Sequence, residues 1–472
     1  MSGVDPGLLE RFAAIVGPRH ALREAADVEP YVTERRGLFP GRAALVLRPG
    51  SVEEVSRILA LASATGTPVV PQGGNTGLVG AQVPDLTGRA VVLSLSRLDR
   101  IREIDLLSNT VTVEAGTVLQ TLQAASAAAG RLFPLSLASQ GSAQIGGNLS
   151  SNAGGTAVLA YGNARELCLG LEVVLPTGEV LDDLRKLRKD NTGYDLKDLF
   201  IGAEGTLGVI TAAVLKLFPL PKGREVAWVG VPSPEAALAL LSLALERAGS
   251  ALTAFELMSA RSLEFTQRHV AGARSPLAEP SPWHVLMEIA SGRSAEDAHG
   301  LAEDILSAAL EQGCAVDAAL AASLAQADAL WELRETLPEA QRPEGASIKH
   351  DISVPVASIP TFLERADAAV AEAAPGARVV AFGHMGDGNL HYNVSQPVGA
   401  DPQAFLSLYR PVNRAVHDVV WALSGSISAE HGIGQLKRDE LLATEQPLAI
   451  DLMRRVKAAF DPAGIMNPGK LL

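Results

Sequence analysis

In Val379-Val-Ala-Phe-Gly-His-Met-Gly-Asp-Gly-Asn-Leu-His-Tyr-Asn-Val394, two apolar strand-like runs flank the turn sequence Gly-Asp-Gly-Asn. A hairpin folded about Asp387 and Gly388 sets His384 opposite His391 and Met385 opposite Leu390. Directly opposed residues carry Cβ atoms about 4.5 to 5.5 Å apart, so both imidazoles could point at one metal ion at about 2.0 to 2.1 Å. Asn393 lies two residues on, on the same face. The carboxylate candidate to join them is Glu430 in Ser428-Ala-Glu-His-Gly-Ile-Gly434, followed directly by His431. Two histidines and a carboxylate make a set that holds a catalytic divalent metal with positions left open for substrate. The plainer alternative is that His384 and His391 are hydrogen-bonded turn residues.

A second chemistry is written in three glycine-rich segments: Pro71-Gln-Gly-Gly-Asn-Thr-Gly-Leu-Val-Gly80, Gly141-Ser-Ala-Gln-Ile-Gly-Gly-Asn-Leu-Ser-Ser-Asn-Ala-Gly-Gly155 and Gly202-Ala-Glu-Gly-Thr-Leu-Gly208. Glycine lets backbone N–H groups approach a ligand closely, and Asn, Ser and Thr add short donors, a combination suited to a pyrophosphate. Each loop alone could be an ordinary turn between strands. Neither the G-x-G-x-x-G spacing nor a G-x-x-x-x-G-K-[ST] loop occurs in them, which disfavours Rossmann and P-loop folds. A third feature is a pair of cations, Arg334 in Trp331-Glu-Leu-Arg-Glu335 and Lys349 in Ser347-Ile-Lys-His-Asp-Ile-Ser-Val-Pro355. Ile348, Ile352 and Val354 share one strand face, which leaves Lys349, Asp351 and Ser353 on the other. The two cations are candidates for an anion clamp, though pattern alone favours a solvated face.

The elements that must position these residues follow from periodicity. Residues 7–16 read as a short amphipathic helix, and 44–47 as a strand stopped by Pro49. Ser51 opens a helix in the pattern Ser-Val-Glu-Glu, which runs to about residue 65 before a strand at 68–70. Strands are expected at 90–95, 110–114, 170–175 and 208–217, with a helix at 119–129. This mixture of alternating and hairpin-like order predicts an α+β fold. Pro219 to Gly223 marks a domain boundary. Beyond it, strands at 225–231 and 283–288 alternate with Ala-rich helices at 234–247 and 295–312. The expected division is an N-terminal helical segment 1–39, a first domain 40–219, a second α+β domain 223–400 and a mostly helical C-terminal segment 401–472.

At 472 residues the chain exceeds one ordinary core and has room for about two to four domains. Forty basic against 53 acidic residues, a net charge of -13, argue against nucleic acid as a partner but not against a small anion in a locally positive pocket. Only Cys168 and Cys314 are present, so a disulfide framework and a Cys-rich zinc site are excluded, and a metal must use His, Asp or Glu. No apolar run reaches the roughly 20 residues of a membrane helix, and the N-terminus does not read as a signal peptide, so a cytoplasmic location is expected. Up to residue 260 the only histidine is His20, while the glycines concentrate in the first half. Anion cradling and proton or metal chemistry thus fall in different halves.

The three glycine loops, in this order and at these separations, resemble the FAD-binding domain of the vanillyl-alcohol oxidase/PCMH flavoprotein family. From about residue 40 to 472 the chain is similar to the D-2-hydroxyacid dehydrogenase branch, closest to its D-2-hydroxyglutarate-oxidising members. The resemblance implies that Gly73, Gly74, Asn75, Thr76 and Gly77, with Gly146, Gly147, Asn148, Ser151, Asn152, Gly154 and Gly155, hold the pyrophosphate and line the flavin. Pro71, Leu78, Pro134, Gly141 and Ser142 belong to the same implied cofactor set. Glu204, Gly205 and Ile210 would lie along the adenosine side, and Asn467 would return from the C-terminus to close the site. Some members attach FAD through a histidine or cysteine; residues 73–77 offer neither, so FAD is expected to be non-covalent.

The same resemblance implies that His384, His391 and Glu430 bind zinc or another divalent metal. It makes His431 the catalytic base and Asn393 a substrate contact, and sets Arg334 and Lys349 against the substrate's distal carboxylate. The implied reaction is oxidation of a D-2-hydroxyacid, D-2-hydroxyglutarate first and D-malate second, with hydride transfer to flavin N5. The implied acceptor is an electron-transfer flavoprotein or a quinone, and a homodimer is one assembly open to such a chain. There is one departure: Pro338 stands where the D-2-hydroxyglutarate-oxidising members have threonine. That keeps D-lactate or glycolate oxidation as an alternative within the family. An electron-transferring flavin subunit without substrate chemistry is the alternative from another class.

Overall fold

The computed structural model describes residues 4–472 and divides into two units. The first holds residues 4–154, 162–219 and 430–472; the second holds 155–161 and 220–429. Of the expected N-terminal segment 1–39, the first three residues lie outside the described ones. Among the described residues no helix is long and apolar enough to cross a membrane.

The first unit is built on two larger sheets and also holds the two-stranded pair Arg131–Leu132 and Phe218–Pro219. In the four-stranded sheet, Leu45–Leu47 and Val69–Gln72 both run parallel to Val91–Ser94, and Ala21–Leu22 adds an antiparallel edge. The connection between Leu45–Leu47 and Val69–Gln72 is the helix Val52–Thr65. Ser51 caps it by accepting the Glu54 amide at 3.3 Å, and Gly66, at φ 64°, ends it in the left-handed conformation that suits glycine. Its Val55, Ile58, Leu59 and Ala62 share one face and are buried against Leu45, Leu47, Val69 and Val91. The strand Val69–Gln72 therefore delivers the first glycine loop from the floor of a packed core. The second sheet is fully antiparallel, in the order Ile101–Asp105, Thr110–Glu114, Val209–Lys216, Cys168–Val174, Val180–Asp183.

The second unit is one seven-stranded antiparallel sheet with helices on both faces. Its order is Asp317–Leu320, Gly223–Val231, Trp283–Ser291, Leu252–Ser259, Arg378–His384, Asn389–Ser395, Ser347–Ser353. Period-2 alternation sorts the side chains. Val229, Leu257, Val285, Ile348, Ile352 and Tyr392 face the helices Pro234–Ala248, Ala295–Glu311, Ile359–Ala373 and Tyr409–Ala422. Trp228, Met258, Leu286, Val380 and Phe382 face Ala260–His269, Leu324–Glu335 and Leu337–Ala340. The candidate catalytic residues of this unit fall on the second face, at its right-hand strands in that order.

The expected hairpin needs correction. The hairpin pairs His391 with Phe382, not with His384. The strand Arg378–His384 ends and Asn389–Ser395 begins around the four-residue turn 385–388, so the fold-back is centred on Gly386 and Asp387 rather than on Asp387 and Gly388. The offset is two residues, which preserves facing: His384 and His391 become diagonal neighbours on one face, with ring centroids 5.6 Å apart. His417, on the helix Tyr409–Ala422, is buried. It stacks edge-on against His350 and Trp421, because the buried stripe Val412, Val416 and Val420 turns it inward.

Candidate active site

Within the first unit, residues 71–77, 144–151 and 204–210 border a cleft of about 850 Å³, its open mouth included. The reason for glycine differs along these loops. A Cβ on Gly74 would stand 1.9 Å from the Ser142 carbonyl oxygen, and one on Gly146 would stand 2.7 Å from the Ala115 Cβ, so these positions let two loops close on each other. Gly147 meets nothing within 4 Å and bares its backbone to the cleft. Two buried side-chain atoms on the cleft wall, Gln144 Oε1 and Asn148 Nδ2, have no protein partner. An acceptor and a donor left in this way fit a polar cofactor edge, as buried polar groups require partners.

The cleft lining takes in Pro71, Gly73, Gly74, Asn75, Thr76, Gly77, Gly146, Gly147, Asn148, Ser151, Glu204, Gly205 and Ile210. Leu78, Pro134, Gly141, Ser142, Asn152, Gly154 and Asn467 are outside that lining, and Gly155 belongs to the second unit. Several of these act from behind. Ser142 abuts Gly74, and Asn152 Oδ1 accepts the Arg165 amide at 2.9 Å. Asn467, at φ 43°, donates from its backbone to the Val69 carbonyl and from Nδ2 to the carbonyls of Glu204 and Ala81 at 2.7 and 2.9 Å. It ties a strand and two loops together rather than forming the wall.

His431 lines the same cleft. The loop that carries it is held by Glu204, whose carboxylate accepts the Ile433 amide at 2.6 Å and the Gly434 amide at 2.7 Å. Burial pushes the Glu204 carboxyl up, and these two amides partly offset it. The Nε2 of His431 lies 3.6 Å from Glu430 Oε1. Glu204 is thus a loop-holding group as much as a wall residue, a role that spacing alone did not suggest.

In the second unit the polar residues gather at one end of the sheet face. Glu256, on the central strand Leu252–Ser259, is fully buried and pairs in register with His384. Its Oε1 meets His384 Nδ1 at 2.7 Å, and its Oε2 accepts from Arg334 Nε at 2.8 Å and Nη2 at 2.7 Å. An ionised carboxylate only accepts, so His384 Nδ1 carries the proton of this bond. Burial raises the Glu256 carboxyl, but His384 and Arg334 outweigh it and hold it at about 2. The Arg334 guanidinium lies 4.9 Å over the Phe382 ring, whose centroid is 5.1 Å from that of His391. On the neighbouring strands Asp351 pairs with His391 and Lys349 with Asn393. Ligand atoms of Asp351 and His391 lie within 4.8 Å. Asn393 donates to Gln341 Oε1 at 3.0 Å, and Lys349 is exposed.

The structure thus brings His384, His391, Asn393, Arg334 and Lys349 onto one face of the second unit, while His431 joins the glycine loops of the first. Glu430 follows Ala429, whose amide donates to the Asp351 carbonyl at 3.3 Å. Glu256, Gln341 and the pairing of Asp351 with His391 were missed. The available signal was an acidic residue within the otherwise apolar run Leu252-Thr-Ala-Phe-Glu-Leu-Met-Ser259.

Residues 43–183 match the family described as FAD binding domain, and residues 220–471 match FAD linked oxidases, C-terminal domain. The chain is 39% identical over 468 residues to the D-2-hydroxyglutarate dehydrogenase of Xanthomonas citri pv. viticola, covering 99% of this chain and 97% of that protein. It is 36% identical over 471 residues to the mitochondrial D-2-hydroxyglutarate dehydrogenase of Arabidopsis thaliana, covering 100% of this chain and 82% of that protein. Among solved structures, p-cresol methylhydroxylase with substrate bound superimposes with a TM-score of 0.74 at 15% identity, covering 98% of this chain and 96% of that one. Alkyldihydroxyacetonephosphate synthase gives 0.74 at 19% identity, with 98% and 84% covered. These two establish the PCMH-type α+β fold and nothing about substrate. The chain belongs to the FAD-linked oxidases, as an FAD-dependent oxidoreductase of the D-2-hydroxyglutarate dehydrogenase-like kind.

Proposed function

We propose that the chain oxidises a D-2-hydroxyacid to the 2-oxoacid, D-2-hydroxyglutarate first and D-malate second, using non-covalent FAD and a divalent metal, zinc by its donor set. The observation that carries this reading is the shared face of the second unit. There a buried carboxylate orients an imidazole, a second imidazole stands 5.6 Å away, and a buried arginine completes the group. The names of the full-length relatives support the substrate class.

When bound, FAD supplies the acceptor for the hydride leaving C2. A divalent metal supplies Lewis acidity that lowers the pKa of the substrate hydroxyl. His384 through Nε2, His391 and Glu430 are the assigned ligands, and a histidine whose other nitrogen donates to a carboxylate is the usual form of such a ligand. The backbone of residues 73–77 and Gly147 holds the pyrophosphate, and Gln144 and Asn148 orient the cofactor from the wall. His431 removes the hydroxyl proton at its imidazole. Arg334 and Lys349 hold the distal carboxylate and Asn393 the reacting end, which fixes the face of C2 presented and hence the D configuration. Electrons leave to an electron-transfer flavoprotein or a quinone.

A second reading has its own support. Arg334 already gives its Nε hydrogen and one Nη2 hydrogen to Glu256, so part of its fork is committed within the protein. Pro338 occupies the first turn of the helix Leu337–Ala340, a place proline fits but where it supplies no hydroxyl. Both features favour a shorter acid, D-lactate or glycolate. The test of the base is His431→Ala, expected to slow anaerobic flavin reduction by about 10²- to 10⁴-fold with flavin and metal content unchanged. Retention of most of the rate would move the base elsewhere.

A further inference from the structure

We propose that Glu256 is a positioning residue with two clients, setting the metal ligand His384 with one oxygen and the substrate arginine Arg334 with the other. The inference rests on the functional reading above and extends it, because it makes metal affinity and distal-carboxylate recognition depend on one side chain that touches neither metal nor substrate.

The geometry divides the carboxylate cleanly. Oε1 is engaged by His384 Nδ1 at 2.7 Å, while Oε2 takes both Arg334 Nε and Arg334 Nη2, at 2.8 and 2.7 Å. Each client is thereby restricted in a different way. For His384 the bond engages Nδ1 and restrains the ring, which leaves Nε2 as the nitrogen for a metal. For Arg334 it fixes two corners of the planar fork, and Phe382 beneath the guanidinium at 4.9 Å fixes the plane.

The carboxylate itself has no freedom. It is 0% exposed, and its strand is flanked on both sides, by Trp283–Ser291 and Arg378–His384. Such a site on a rigid central strand is what holds a constellation to within a fraction of an ångström. A buried acid kept only for stability would be an expensive choice, since an apolar replacement for a buried ion pair often costs nothing.

The test uses the full chain stripped of metal by dialysis against a chelator and then titrated with Zn²⁺ against a chromophoric competitor. Glu256→Gln keeps the size of the side chain and removes its charge, and it is expected to weaken zinc binding by about 10- to 100-fold. In the zinc-loaded enzyme, KM for D-2-hydroxyglutarate should rise by about tenfold more than KM for D-lactate, which lacks the distal carboxylate. Glu256→Asp keeps the charge but is too short to reach both clients, and it should lose at least one of the two readouts. It also serves if Glu256→Gln does not retain flavin and fold. Zinc affinity and KM ratio both unchanged in a folded variant would overturn the role of Glu256 alone. A wild-type chain that takes up no zinc would overturn both this role and the functional reading.

Discussion

The carboxylate of Glu204 accepts the amide of Ile433 at 2.6 Å across 229 positions of sequence. That bond, with its neighbour to Gly434, is how the flavin-type loops fix the segment that carries His431. Replacing Glu204 by Ala leaves two amides without their acceptor, at a cost of about 2 to 6 kcal/mol, while Gln keeps one acceptor and should cost about half. Urea denaturation should rank wild type above Glu204→Gln above Glu204→Ala. The rate of flavin reduction should fall in the same order, and equal stabilities would deny Glu204 this role.

Gly74 and Gly147 are expected to fail differently. Gly74→Ala drives a methyl into the Ser142 carbonyl oxygen, so the variant should be destabilised by several kcal/mol, on the order of the larger overpacking costs. Gly147→Ala meets nothing in the protein and lies within the short helix Ile145–Ser150, so its stability should be unchanged or slightly raised. Its methyl enters the cleft, and FAD affinity should drop by at least about tenfold, or 1.4 kcal/mol. Equal FAD binding by Gly147→Ala and wild type would place the cofactor elsewhere.

His284 sets an acid limit on stability. Its Nδ1 accepts the indole N–H of Trp228 at 3.2 Å, and burial pushes its pKa down to about 4. The folded state therefore binds fewer protons than the unfolded chain between about pH 6.5 and 4. Stability from this group is complete above about pH 6.5, falls as the pH drops through that window and levels off below it. The whole window is worth about 3 kcal/mol. Urea midpoints measured across it should show a slope that flattens in His284→Gln; identical slopes in the two proteins would contradict this.

Removal of the metal should separate the two chemistries. Dialysis against a chelator is expected to cut turnover by at least about 100-fold while the flavin stays bound, and added Zn²⁺ should restore it. Turnover unaffected by chelation would remove the metal from the reaction. Acid precipitation should leave a colourless pellet, because no histidine or cysteine lies in residues 73–77; a yellow pellet would show covalent attachment.

Much of the site was legible because local pattern and site coincide. The glycine loops are contiguous segments, and the metal-type histidines flank one turn, so their residue types announce them. The two-residue error in the hairpin came from choosing Asp387 and Gly388 as the turn, when the chain bends over 385–388. It was harmless because an even slip keeps every side chain on its face. Glu256 was not legible: its partners stand 78 and 128 positions away, and only the assembled sheet brings them to it. The inward turn of His417 has the same origin, since an imidazole at the edge of an apolar stripe is sorted by the helix's neighbours rather than by its own sequence.

The most direct test of the proposed reaction is anaerobic mixing of the wild-type holoenzyme with a panel of D- and L-2-hydroxyacids while the flavin absorbance is followed. The account predicts rapid bleaching by D-2-hydroxyglutarate and D-malate, slower bleaching by D-lactate and none by the L-acids. Flavin that no D-2-hydroxyacid reduces, or that L-acids reduce as fast, would contradict it.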